Sequence, residues 1–196
     1  MHISFINISF LLLFNWGRIL MNRGVLIIRK ATIIDVPIIQ KITKEAFEAY
    51  VINAEIPGST AALEETEEDI KNDIKNKLCF VAEVNGVVVG SVRIEVNEEK
   101  NTAYLSRFGV ALEYQSNGIG AKLLDYVDEI MREMGISKLY LHTASKLVSL
   151  IKFYYGRGFF IDSTTKDRGY IRALLCKEYD KESEYNKKKI YKIFAV

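Results

Sequence analysis

The chain has little of what metal or disulfide chemistry requires. Two cysteines and two histidines occur in 196 residues. Cys79 and Cys176 stand inside apolar runs, "KLCFVAEV" and "YIRALLCKEY", with no CxxC or Cys/His spacing. Both are expected to be reduced core thiols, and no metal site is expected. His2 and His142 are poor ligand candidates; His142 falls in the alternating run "KLYLHTAS" and reads as a strand residue with a local hydrogen bond. Charge excess is missing too. The balance is 27 Lys plus Arg against 25 Asp plus Glu, a formal +2, which argues against nucleic acid as a partner. Internal repeats and low-complexity tracts are absent from the sequence, and its length suits one domain with a proper core.

A full membrane-spanning run is also lacking. The opening "MHISFINISFLLLFNWGRIL" is apolar but has no Lys or Arg before its apolar stretch and no small-x-small cleavage pattern after it. Asn7, Asn15, Trp16, Gly17 and Arg18 interrupt what should be about 20 apolar residues. Residues 1–20 are therefore expected to be an upstream extension outside the fold, with the natural start at Met21, a domain over 21–180 and a charged tail over 181–196. A peripheral membrane anchor is the alternative; no stable membrane association is expected.

What is present alternates between two periods. "VLIIRKAT" is rich in β-branched residues and reads as a strand, and Val36, Ile39, Ile42, Thr43, Ala46 and Phe47 recur at helical spacing after it. Residues 66–77 carry acids in their first turn and bases in their last, as a helix dipole favours. Asn85-Gly86 between two apolar runs signals a hairpin. A polar turn over 97–101 leads to a third strand, giving a meander. Then come "QSNGIG" and a helix over 121–134 ended by Gly135. A strand over 138–143, a helix over about 146–155, and strands over 159–162 and 170–176 complete a mixed α+β chain with a mostly antiparallel sheet.

The stretch "QSNGIG" follows a strand and opens a helix. Helix N-termini present unpaired N–H groups and a positive dipole end, and glycine lets a ligand approach them, so an anion is the natural occupant. Spacing excludes two rivals: Ala121 separates Gly120 from Lys122, against a Walker A loop, and Leu123 stands where a dinucleotide fingerprint needs glycine.

In this setting "SRFGVALEYQSNGIGAKLLDYVDEIMREMG" resembles the GNAT superfamily of acetyl-CoA-dependent N-acetyltransferases. Gln115, Gly118 and Gly120 match its loop pattern, and "FYYGRGF" downstream is similar to its FYxxxGF element. The resemblance implies a central, mostly antiparallel sheet of six to seven strands with flanking helices, splayed where acetyl-CoA lies. It also implies a diphosphate held by Gln115, Ser116, Asn117, Gly118, Ile119, Gly120 and Ala121. The pantetheine arm would pair with Phe108, Gly109 and Val110, and Lys122 is an optional charge near the phosphates. Tyr154 matches the family's general acid, which protonates the departing thiolate.

The base is less well marked. Tyr104 stands where some members carry a glutamate and cannot do the same work at neutral pH, so a water chain is the default; Glu95 is the substitute candidate, and Ser106 could pass a proton through water. Leu147 and Leu150 replace a frequent asparagine and alanine. Glu55, Glu64 and Glu65 are candidates to attract a cationic amine, and Arg168 or Arg172 to meet a carboxylate. The implied protein is a cytoplasmic N-acetyltransferase acting on a primary amine of a small molecule or peptide, and a homodimer as often in the family. A non-catalytic acyl-CoA sensor is the alternative.

Overall fold

The computed structural model describes residues 17–21 and 24–179. Eight strands form one sheet in the order β1-β2-β3-β4-β5-β6-β8-β7. The first five, β1 (Gly17–Met21), β2 (Gly24–Lys30), β3 (Leu78–Val84), β4 (Val87–Asn97) and β5 (Thr102–Val110), run antiparallel in sequence order. β6 (Lys138–Ala144) joins β5 in parallel, and β8 (Arg172–Glu178) pairs antiparallel with both β6 and the edge strand β7 (Phe160–Thr165). Among the described residues four α-helices flank the sheet: α1 (Val36–Asn53), α2 (Glu67–Asn76), α3 (Ile119–Glu133) and α4 (Val148–Tyr155).

The mostly antiparallel sheet with flanking helices agrees with expectation, and β1 adds a further edge strand beside β2. One expectation differs. Gly17 to Leu20 were expected outside the fold, yet their backbone pairs with β2 from Gly17 opposite Ile28 onward. The physical reason is the free edge of β2, whose ladder groups accept a further strand. The tail over 181–196, His2 and the rest of the apolar opening lie outside the described residues.

Local signals placed most elements. Thr66 caps α2 in a capping box, its side chain accepting from the Asp69 N–H (3.2 Å) while Asp69 accepts from the Thr66 N–H (2.9 Å). Asn85 and Gly86 take φ of 51° and 84°, the two left-handed residues of a hairpin turn that closes β3 on β4. Along β3 the period of two sends Phe80, Ala82 and Val84 into the main core, with Leu123, Val127 and Leu139. Cys79 and Val81 face a second core with Val36, Ile39 and Ile70. Helices thus cover both faces. Both cysteines are free and buried, as expected, and burial pushes the Cys79 thiol up to about 11.

Candidate active site

The cleft begins where the sheet comes apart. β5 and β6 pair only at Thr102–Lys138, Ala103–Leu139 and Tyr104–Tyr140, although both strands continue. A β-bulge in β5 helps turn it away. Gly109 lies opposite Ser91 and Ser106 opposite Arg93, so two residues, Arg107 and Phe108, face Val92 alone. Arg107 takes φ of 50°, and on its own a non-glycine residue there is disfavoured. It is held by an ion chain. Glu65, from the α1–α2 loop, accepts from Arg107 Nε (3.0 Å) and from both terminal nitrogens of Arg93 (2.6 and 2.7 Å). Asp73 accepts from Arg93 as well (2.9 Å). The Arg93 and Glu65 side chains are only 1% and 5% exposed.

Below the splay the chain turns through a short 3-10 segment, Leu112–Tyr114, and enters α3. Gln115 Nε2 donates to the Val110 carbonyl (3.0 Å), tying the loop to the strand end. Gly118 is the N-cap with φ of 77°, and no side chain caps the helix. The Lys122 N–H donates to the Gly118 carbonyl (3.0 Å), so the N–H groups of Ile119, Gly120 and Ala121 precede the first helical bond. A side chain on Gly120 would sit 3.1 Å from Phe108 Cζ, and one on Gly118 would meet nothing within 4 Å. Strand end and helix start thus present bare N–H groups with room in front of them.

The hollow between these elements measures about 980 Å³. Gln115, Ser116, Gly118, Ile119, Gly120 and Ala121 line one end of it, Phe108, Gly109 and Val110 its floor, and α1, β6 and α4 its walls. Tyr154, on α4, is 4% exposed and packed among Phe108, Phe153 and Phe159. Burial pushes its hydroxyl pKa well up, with Tyr50 and Tyr104 adding to the effect, so it stays protonated. At the other end the Tyr104 hydroxyl and His142 Nδ1 lie 2.9 Å apart.

A family model described as "Acetyltransferase (GNAT) family" matches residues 40–159, more than half of the chain. The chain belongs to the GNAT family. N-alpha-acetyltransferase 50 of Danio rerio is 32% identical over 94 residues, 46% of this chain and 56% of that protein. The chain thus matches little more than half the length of that curated relative. Among solved structures, the PaiA N-acetyltransferase of Thermoplasma acidophilum in complex with coenzyme A superposes with a TM-score of 0.68 at 22% identity, covering 79% of this chain and 99% of that one. A ribosomal-protein-alanine N-acetyltransferase of Brucella melitensis gives 0.62 at 25% identity, covering 78% and 99%. The mixed sheet with its parted strands is the GNAT fold.

Within that fold the residues singled out from sequence separate into two groups. Tyr154, Ser106 and every loop and strand residue named for the cofactor except Asn117 line the cleft. Asn117 instead turns its amide back to donate to the Tyr114 (3.1 Å) and Gln115 (3.0 Å) carbonyls, shaping the loop rather than facing the hollow. Glu95 is not brought to the cleft. It stands opposite Tyr104 in the β4–β5 ladder, 66% exposed, 3.4 Å from Lys77 and beside a second, smaller hollow that shares Tyr104 and His142 with the cleft. Lys122 lies outside the cleft lining and pairs with Asp125 (3.5 Å).

The three glutamates named for a cationic acceptor are also diverted. Glu65 is taken up by Arg93 and Arg107, Glu55 by Lys146 (2.7 Å), and Glu64 is exposed and away from the cleft lining. The residue that sequence reasoning undervalued is His142. Its hydrogen bond is not local but reaches Tyr104, 38 residues away. Burial holds its pKa below the usual 6.5; Arg172 and Arg168 nearby push the same way, and Asp167 pushes against them. Burial raises the Tyr104 pKa. A neutral imidazole beside a protonated phenol results. The signal available in sequence was His142 one pleat from Tyr140, on the strand that the GNAT pattern places at the splay.

Proposed function

We propose that this protein is an N-acetyltransferase that moves the acetyl group of acetyl-CoA to a primary amine. The observation that carries the reading is the conjunction of parted strands, an uncapped helix N-terminus behind left-handed Gly118, and buried Tyr154, all on one cleft. The residues present fit acetyl-CoA. The N–H groups of Ile119, Gly120 and Ala121 and the positive end of α3 suit a diphosphate. The unpaired edge of β5 from Phe108 to Val110 suits the amide-bearing arm. Acetyl-CoA supplies an activated thioester.

The chain's own groups handle the protons. An ordinary amine has a pKa of about 10.4, so only about one molecule in two thousand is neutral at pH 7. As the amine nitrogen bonds to the acetyl carbon, its surplus proton passes to the Tyr104 oxygen while Tyr104 hands its own to Nδ1 of His142. Tyr104, unsuited to the task alone, is completed by the imidazole. The C–S bond then breaks, and the sulfur takes the Tyr154 proton. Ser106, on the cleft wall between these groups, holds water in the path. The reading rests on one assay: coenzyme A release measured by thiol titration over peptides, amino acids, polyamines and aminoglycosides, with acetyl-CoA binding followed by calorimetry. Release with at least one amine is expected. Binding with no release from any amine would leave an acyl-CoA sensor in its place.

A further inference from the structure

We infer that the preferred acceptor is an amine that carries a carboxylate, held by Arg168 at the mouth of the cleft. The inference rests on the acetyltransferase reading and deepens it. No aspartate or glutamate lines the cleft among the described residues; its charged lining groups are Arg107, Arg168, Arg172 and the titratable His142. Two of the three guanidinium groups are already engaged. Arg107 is held by Glu65 (3.0 Å), and Arg172, 8% exposed, makes a bidentate pair with Asp167, Nε donating to Oδ1 (3.2 Å) and Nη2 to Oδ2 (2.6 Å). Arg168, in the turn between β7 and β8, makes no ion pair or hydrogen bond within the described residues, and it lines the cleft while open to solvent. It is a planar two-pronged donor beside the Tyr104–His142 pair, shaped for a carboxylate.

The field in this end of the cleft acts on the amine as well. Arg172 and Arg168 disfavour a proton on His142 while Asp167, paired with Arg172, favours one, so the unpaired Arg168 is the charge that disfavours a proton on an amine bound alongside. That enlarges the neutral, nucleophilic fraction. A carboxylate on the acceptor pairs with Arg168 and offsets the repulsion between that charge and an arriving ammonium. A polyamine brings a second cation into a lining that has no carboxylate to receive it. Tyr50, Tyr104 and Tyr170 supply flat walls for the acceptor's carbon skeleton.

The carboxylate has two sources, a free amino acid or the first side chains of a peptide, and the arms of the test separate them. Thiol release is measured for free glutamine and its α-amide, for a pair of C-terminally amidated short peptides opening with Glu or Gln, for the lysine-opening equivalent and for spermidine. Each is run with the parent chain and with Arg168→Glu and Arg168→Gln. The expected result is kcat/KM about tenfold higher for the carboxylate-bearing member of a pair, the whole difference lying in KM. Arg168→Gln should remove that preference and Arg168→Glu invert it toward lysine, with acetyl-CoA affinity unchanged. Equal turnover of the carboxylate-bearing and neutral members in both pairs, spermidine as the best acceptor, or a preference unmoved by Arg168→Glu overturns the inference while leaving the transferase reading standing. Absence of acetyl-CoA binding, or binding without release in any arm, removes both.

Discussion

Replacing Glu65 by leucine tests how the bulged strand is held. Glu65 and Arg93 are 5% and 1% exposed, and Glu65 also accepts from Arg107. Removing one member of a buried pair strands the other charge and costs about 3–5 kcal/mol. Asp73 still accepts from Arg93 at 2.9 Å, so the lower end applies, about 3 kcal/mol. For a chain of this size each kcal/mol moves the midpoint by about 2–4 °C, which gives a drop of roughly 6–12 °C. Thermal unfolding followed by circular dichroism, with calorimetry as a check on two-state behaviour, reads it directly. The double variant Glu65→Leu/Arg93→Met removes both buried charges, and it should recover most of the loss because an apolar pair of similar volume costs little. A single variant within about 2 °C of the parent would show that the pair contributes no net stability, and that the bulge is fixed by other contacts.

Three further outcomes follow from the site. Tyr154→Phe keeps the ring cluster but removes the proton donor, so kcat should fall about 100-fold with acetyl-CoA affinity unchanged; full activity would take Tyr154 out of the mechanism. Gly118→Glu projects a carboxylate into open space in front of the uncapped α3 terminus. The fold should survive at a cost of about 1–2 kcal/mol for the left-handed backbone, while calorimetric acetyl-CoA binding is lost; retained affinity would count against the loop as the diphosphate site. The third outcome concerns pH. The His142 pKa is held below its ordinary 6.5, so the neutral imidazole persists until the pH falls through that lowered value, and only below it is the proton acceptor lost. Below the amine's own pKa, log kcat/KM should rise with slope one, steepening to two on the acid side of His142. His142→Gln should abolish the second step, and a profile identical to the parent's would exclude His142 as the base. The same depressed pKa adds stability above 6.5 that disappears as pH drops through the folded value.

Signals confined to a few neighbouring residues were legible in sequence. Asn85-Gly86 fixed a hairpin, Thr66 and Asp69 a helix start, and "QSNGIG" its loop, because each works through bonds spanning at most four residues. Pairings across the sheet were not. Glu65 meets Arg93 and Arg107 over separations of 28 and 42 residues, and nothing local distinguishes it from a solvated loop acid. Glu95 stands opposite Tyr104 and shares its face, but it lies one strand further from the splay, exposed and beside Lys77, and that distance from the cleft is not written in the spacing. The bulge at Arg107 and Phe108 breaks the alternation, so counting by twos along β5 goes out of step halfway. The Tyr104–His142 pair needed the β5–β6 register, which rests on three residue pairs. β1 escaped notice because an edge strand needs only one partner's free backbone.

Those three residue pairs have a mechanical consequence. β1–β5 and β6–β8 are two leaves stitched along one short seam, and everything beyond Tyr104 on one side and Tyr140 on the other is an internal edge. Amides of β5 that point to β4 are locked in a ladder, while alternate amides point into the gap. Deuterium should therefore enter β5 in an alternating pattern past Tyr104, fast on the seam side and slow on the other. A ligand arm lying in the gap takes the place of the missing strand, so its arrival should erase the alternation and stiffen one leaf against the other. On the proposed reading, a cofactor arm bound there would serve as one more strand of the sheet.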